Sequence, residues 1–437
     1  MRIFSRRALV LLLSLGFFFW VASGTKSQAQ TQVQSHDNQW PEFRGPAQNG
    51  HATGSKGTPT TWTPRKNVHW KAELPGRAWS SPIIVGDKIF MTNAVTGGGG
   101  QAALVADDCS LRVVALSATD GKVLWDVEVF HVSQPQSQGM HQKNSYASAT
   151  PVYRDGRIYA HFGHFGTACL DEQGQVVWKN DAIKYSPVHG NGGCPVLVDD
   201  LLVFMADGGK EPFIAALDIA DGALRWKQPR SFGARRAFSF STPLLVETSS
   251  GKQLICPGSD GVAAIEPATG KEIWRVKYEG YSVVPRPVHA HGHIYLSTGY
   301  DKAKLLAIRE GGQGDVTDSH ITWTMGRGAP LTPSPLVIGD EIYLIADNGM
   351  MTCADAKTGD IHWQERVARQ TSSSPIYADG KIYFIDEAGV SYVVSAGKKF
   401  ELLGKNDLED KALASIVPLG GNQLLVRTEK ALWCIGE

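Results

Sequence analysis

Several kinds of signal are missing from this chain of 437 residues. It has no net charge, because 43 Lys and Arg balance 43 Asp and Glu. Bulk electrostatics therefore point neither to nucleic acid nor to an acidic membrane surface. Basic-aromatic motifs that bind RNA or DNA are absent too. The six cysteines, Cys109, Cys169, Cys194, Cys256, Cys353 and Cys434, contain no C-x-x-C and no adjacent pair. That removes the zinc, dithiol-redox and haem-attachment motifs. There is no P-loop, no G-x-G-x-x-G after a strand and no Ser-His-Asp motif. Beyond the N-terminus no window sustains apolar residues at i, i+3 and i+4, which argues against a helical solenoid.

What is present is a repeat. Residues 332–363, TPSPLVIGDEIYLIADNGMMTCADAKTGDIHW, read as one four-stranded antiparallel unit. Its strands have period two, and Gly339, Asp347-Asn348-Gly349 and Lys357-Thr358-Gly359 supply the turns. The opening Pro recurs as Pro82, Pro151, Pro195, Pro243, Pro287, Pro335 and Pro375. A closing Trp recurs as Trp125, Trp178, Trp226, Trp274, Trp323 and Trp363, and Gly stands four residues earlier in all but the copy of Trp323. An eighth copy, from Ser415, runs out of chain after three strands. Asn67-Val68-His69-Trp70-Lys71 looks like its missing closing strand. The expected fold is all-β: an eight-bladed β-propeller of four-stranded blades, closed by the N-terminal strand. Closure of this kind leaves few exposed edges. Cys169, Cys353 and Cys434 fall where other copies carry Ala, a small buried third-strand position. Cys109 and Cys194 stay open as disulfide partners.

The [ST]-[ST]-Pro start and Ala216-Leu217-Asp218 with Gly222 and Trp226 resemble pyrroloquinoline-quinone (PQQ) repeat propellers. That family includes quinoprotein alcohol dehydrogenases and the propeller lipoprotein of bacterial outer-membrane assembly. Residues 40–46, WPEFRGP, and 141–148, HQKNSYAS, look like those of secreted propeller proteins abundant in planctomycetes. The resemblance implies fold more than activity. The dehydrogenases hold their cofactor against a disulfide of adjacent cysteines, which this chain lacks.

Residues 1–29 read as a signal peptide. Arg2, Arg6 and Arg7 precede an apolar run over 8–22 that is short for a membrane span, and Ser27-Gln28-Ala29 suits cleavage. Ser5-Arg6-Arg7-Ala8-Leu9 also resembles a twin-arginine signal. Export to the periplasm or beyond is expected, with no stable membrane span after cleavage. Residues 30–66 read as an irregular arm packed on the ring, and 67–437 as the propeller. Insertions at 96–110 and 130–146 should rise over one face, where the second turns and the inter-blade links meet. Binding and catalysis concentrate in such loops.

That face collects the candidate residues. A basic or imidazole residue precedes each first strand, among them Arg77, Lys143, His189, Arg236, Arg286, Arg327 and Arg369. With Asn144 and Asn191 they would ring one channel mouth and favour an anion, since Arg pairs bidentately with carboxylate or phosphate. Arg286, between two prolines, is the most confined. His131, His141, His161 and His164 share the face and could hold a transition metal. Asp207, Asp260, Asp301, Asp347 and Asp386 suit ordinary turn chemistry. The leading reading is an exported monomer that binds or scaffolds an envelope protein, a glycan or an anionic ligand, with no nucleic-acid partner. The alternative is a PQQ-dependent dehydrogenase for an alcohol or sugar, with PQQ and calcium as cofactors. A third is a metal-assisted enzyme built on the histidines.

Overall fold

The computed structural model describes residues 39–96, 108–133 and 140–437. The signal peptide and the glycine run at 97–100 lie outside them. Eight antiparallel sheets follow one another along the chain, each laid down strand next to strand. The unit at Leu336–Ile338, Glu341–Ile345, Met350–Asp355 and Ile361–Arg366 is blade 6. The first strands of neighbouring blades touch, so they line the axis and the fourth strands lie outermost. Blade 8 has three C-terminal strands, and Val68–Glu73 adds the fourth against Ala431–Ile435, with Trp70 opposite Cys434. The eight-bladed propeller with N-terminal closure is therefore the observed fold. Among the described residues no helix is long and apolar enough to cross a membrane.

Two circles of contacts join the blades. The outer one uses the closing Trp. Each Trp sits opposite a small third-strand residue, such as Ala115, Cys169, Ala216 or Cys353. Its indole N–H then donates to the third turn of the next blade. The pairs are Trp70 to Ala118, Trp125 to Glu172, Trp178 to Ile219, Trp226 to Pro267, Trp323 to Ala356 and Trp363 to Gly397, at 2.9 to 3.1 Å. The turn glycine lies against the same ring. A Cβ on Gly222, where φ is +76°, would stand 2.5 Å from Trp178. Trp274 departs from the rule and donates to Gln253 of its own blade. There blade 5 reaches over with a short strand, Gly314–Asp315, paired parallel to Trp274 and Arg275.

The inner circle uses the residue before each opening Pro, and Ser415 at the same place in blade 8. The backbone N–H of each donates to the side chain of the equivalent residue one blade on. Ser81 donates to Thr150, Thr150 to the Cys194 sulfur and Cys194 to Thr242. After one gap, Arg286 donates to Ser334, Ser334 to Ser374, Ser374 to Ser415 and Ser415 back to Ser81. The gap falls before Arg286, which has no hydroxyl. Cys194 thus replaces a hydroxyl in this circle. All six cysteines are buried and free, so neither Cys109 nor Cys194 forms a disulfide.

The N-terminal arm does not pack over the ring. Its first part runs inside the channel. Gln39–Trp40 pairs with Ile84 and Val85 of blade 1. Pro41 accepts from Tyr153 of blade 2, and Gln48 accepts from Leu245 of blade 4. Arg44 donates to Pro335 and Pro375, and His51–Ala52 pairs with blade 7. The chain then leaves beneath blades 7 and 8, where Gly57 meets Asp379 and Trp62 meets Asn406, and so reaches the outside of blade 8.

Candidate functional site

With the arm in the channel, the face bearing the inter-blade links opens into a funnel of about 330 Å³ with Phe43 at its base. One wall is aromatic. His141, His189, Phe238, Tyr281 and Tyr300 come from successive links and the second turn of blade 5. Their ring centroids follow one another at 5.6, 5.6, 5.6 and 6.1 Å. Phe240 packs on Phe238, and Trp79 stands on the blade 1 side. The lower wall is the inner circle of hydroxyls, Ser81, Thr150, Thr242, Ser334, Ser374 and Ser415, with the Cys194 thiol.

The charged groups nearby are engaged with one another. Arg286 is fully buried beneath the hydroxyls. Its guanidinium donates to Pro243 O, Phe43 O and Glu42 Oε2. Burial raises the Glu42 carboxyl, and Arg286 pulls it back down. Asp347 accepts from the Thr332 hydroxyl and from the N–H groups of Leu331 and Thr332. Burial raises its carboxyl against those bonds. Lys143, on the insertion after blade 1, reaches across to Glu387 of blade 7 at 2.6 Å. Asn144 donates to His189 O. The insertion therefore straps part of the mouth.

Residues 110–321 and 262–400 match the PQQ-repeat family described as outer membrane protein assembly factor BamB. The chain belongs to this family. A BamB of Shewanella oneidensis is 23% identical over 352 residues, covering 75% of this chain and 84% of that one. Polyvinylalcohol dehydrogenase of a Sphingopyxis species is 23% identical over 410 residues, or 83% of this chain, but the match spans 56% of that longer protein. The crystal structure of quinohemoprotein alcohol dehydrogenase from Comamonas testosteroni superposes with a TM-score of 0.65 at 10% identity, over 92% of this chain and 81% of that one. Likeness at that distance concerns the fold.

In this BamB-family propeller the expected ligand residues do not form one ring. Lys143, Asn144 and His189 line the funnel. Arg286 lies below it, held by the arm. Arg77 leans on Trp79 and donates to Gln142 O. Arg236 stacks on Tyr281 and faces Asp301 at the rim. Asn191 turns away to accept from Tyr185. Arg327 and Arg369 are exposed.

The four histidines do not converge either. His131 is exposed at the end of blade 1's outer strand, near Glu128. His141 pairs with His189. His161 is buried against Phe204 with its Nδ1 on Thr167, and burial lowers it to about 3. His164 stacks on Phe165, and burial lowers it to about 4. Among the described residues no group of three His, Cys, Asp or Glu could hold a metal ion. Sequence reasoning missed the aromatic wall and the arm beneath it. The S/T-Pro starts were the visible trace of the hydroxyl circle.

Proposed function

We propose that this protein is an exported envelope propeller that binds a component of the cell envelope in the funnel without turning it over. The aromatic wall carries the reading. A concave site with aromatic rings and a few convergent polar groups is the usual form of a binding seat, and rings of this kind dominate contact energetics. The strapping insertion lies on the same face. BamB-named relatives support an envelope setting. A photo-crosslinking residue in place of Phe238 should capture a distinct envelope partner, and one in place of His293, on the opposite face, should not. Capture from His293 alone would overturn the proposal.

The dehydrogenase reading has the polyvinylalcohol enzyme in its favour. The chemistry of the funnel does not suit the calcium that accompanies the quinone. Calcium takes six to eight oxygen ligands, carboxylates prominent among them. The funnel lining consists of hydroxyls, rings, one thiol, one amide and one ammonium, with no Asp or Glu. Its base is filled by Phe43. We therefore derive no step through the quinone. Micromolar binding of PQQ with calcium, followed by reduction of an artificial acceptor by an alcohol, would reverse this conclusion.

A further inference from the structure

The hydroxyl circle has unused donors. Each oxygen of Ser81, Thr150, Thr242, Ser334, Ser374 and Ser415 accepts a backbone N–H from the preceding blade. Each side chain is at least nine-tenths buried and faces the funnel. Thr150 and Thr242 hydrogen-bond the Cys194 thiol, and among the described residues the O–H groups of Ser81, Ser334, Ser374 and Ser415 have no acceptor of their own. A hydroxyl whose oxygen is already occupied offers its remaining proton outward. The circle therefore presents donors toward the axis.

Positive charge lies directly behind it. Arg286 is itself a member of the circle. Arg44 donates to the carbonyls of Pro335 and Pro375, one residue after Ser334 and Ser374. Arg427 donates to Ser80 O and Ser80 Oγ, one residue before Ser81. Three buried guanidiniums thus stand beside one mostly buried carboxylate, Glu42, which pairs with Arg286. Among the described residues neither Arg44 nor Arg427 reaches a carboxylate, and burial lowers each to about 9. Higher on the wall, Lys143 pairs with Glu387 and faces Asp347, so the positive excess sits at the hydroxyls. A buried charge without a counter-charge is costly.

We propose that the hydroxyl circle binds an oxyanion on the propeller axis: a carboxylate, sulfate or phosphate group of a ligand whose body lies against the aromatic wall. Hydroxyl donors supply directional bonds, and the guanidiniums supply the field. This rests on the funnel being the ligand seat.

Calorimetry on the purified protein tests it with three probes: glucuronate, sulfate and glucose. Glucuronate should bind at least about tenfold more tightly than glucose, the worth of one or two hydrogen bonds to a charged group, and sulfate should compete with it. Ser374→Cys has a native precedent in Cys194, so it should fold with an unchanged melting temperature. It should nonetheless weaken glucuronate about tenfold, because a thiol is a poor donor, and Ser374→Thr should restore the affinity. Equal binding of glucose and glucuronate, or no heat from either anion at millimolar concentration, would overturn the inference. Sulfate binding that equals glucuronate, with neither changed in Phe238→Ala, would keep the circle but refute a ligand body on the aromatic wall. Crosslinking through Phe238 without anion binding would sink this inference alone. Anion binding without crosslinking would sink the envelope-partner reading alone.

Discussion

Glu42 and Arg286 form an ion pair between the arm and blade 5, with the Arg side chain wholly buried. Glu42→Ala should leave that guanidinium buried with carbonyl acceptors only. Breaking a buried pair from one side costs about 3 kcal/mol or more, so the urea midpoint should fall while the fold persists. His161 sets a pH dependence. Its Nε2 is buried without a partner, and burial lowers the imidazole from 6.5 to about 3. The unfolded chain therefore takes up a proton that the folded chain refuses. Stability should be complete above about pH 6.5 and fall as pH drops toward 3, at up to about 1.4 kcal/mol per pH unit from this group. His164, lowered to about 4, adds to the loss. His161→Phe should make the decline shallower, as urea titrations from neutral to mildly acid pH would show. Both histidines were legible as residues of one face. Their burial was not, because it depends on Phe204 and Tyr185 from the next blade and the link before it.

At the scale of the blade, the Gly-x-x-x-Trp spacing was legible and its partner was not. Gly222 and Trp226 belong to one repeat, yet Gly222 packs on Trp178 of the preceding blade. A non-glycine residue at positive φ costs about 1 kcal/mol or more. Gly156→Ala, at φ +79° with nothing within 4 Å, should cost about that much and no more. Gly222→Ala also drives its Cβ into the indole, so it should cost about 3 kcal/mol, in the range of overpacked cores. Comparing the two denaturation midpoints isolates the inter-blade contact from backbone strain. The inner circle follows the same logic. The hydroxyl before the opening Pro is visible in five repeats, with Cys194 and Arg286 in its place in two others. Which atom it meets, and that its proton is left over at the serines, appears only when the next blade is alongside.

For the whole ring, the N-terminal segment supplies both the axis filler, in the arm, and the closing strand that follows it. Truncation through residue 73 would remove Val68–Glu73 and bare the edge of Ala431–Ile435, all five of whose residues are buried. An exposed apolar edge recruits other strands. This truncation should associate or aggregate by light scattering. Truncation through residue 66 keeps the closing strand and should associate no more than the intact chain, with the base of the funnel open.

The chain by itself determined the propeller, the blade count and the closure, because each rests on local alternation and on a turn pattern repeated eight times. It also marked the face that carries the insertions. The tertiary structure alone decided the site. Arm residues 41–50 hold no periodicity that places them in the channel, and their partners come from blades 2, 4, 5, 6 and 7. Phe238 and Tyr281 lie in unlike links and Tyr300 in a second turn, and they become a wall only when the ring brings these loops together. Arg286 shows the limit most plainly. Its sequence context marked it as confined, while its orientation was set by Glu42 and Phe43, more than two hundred residues away.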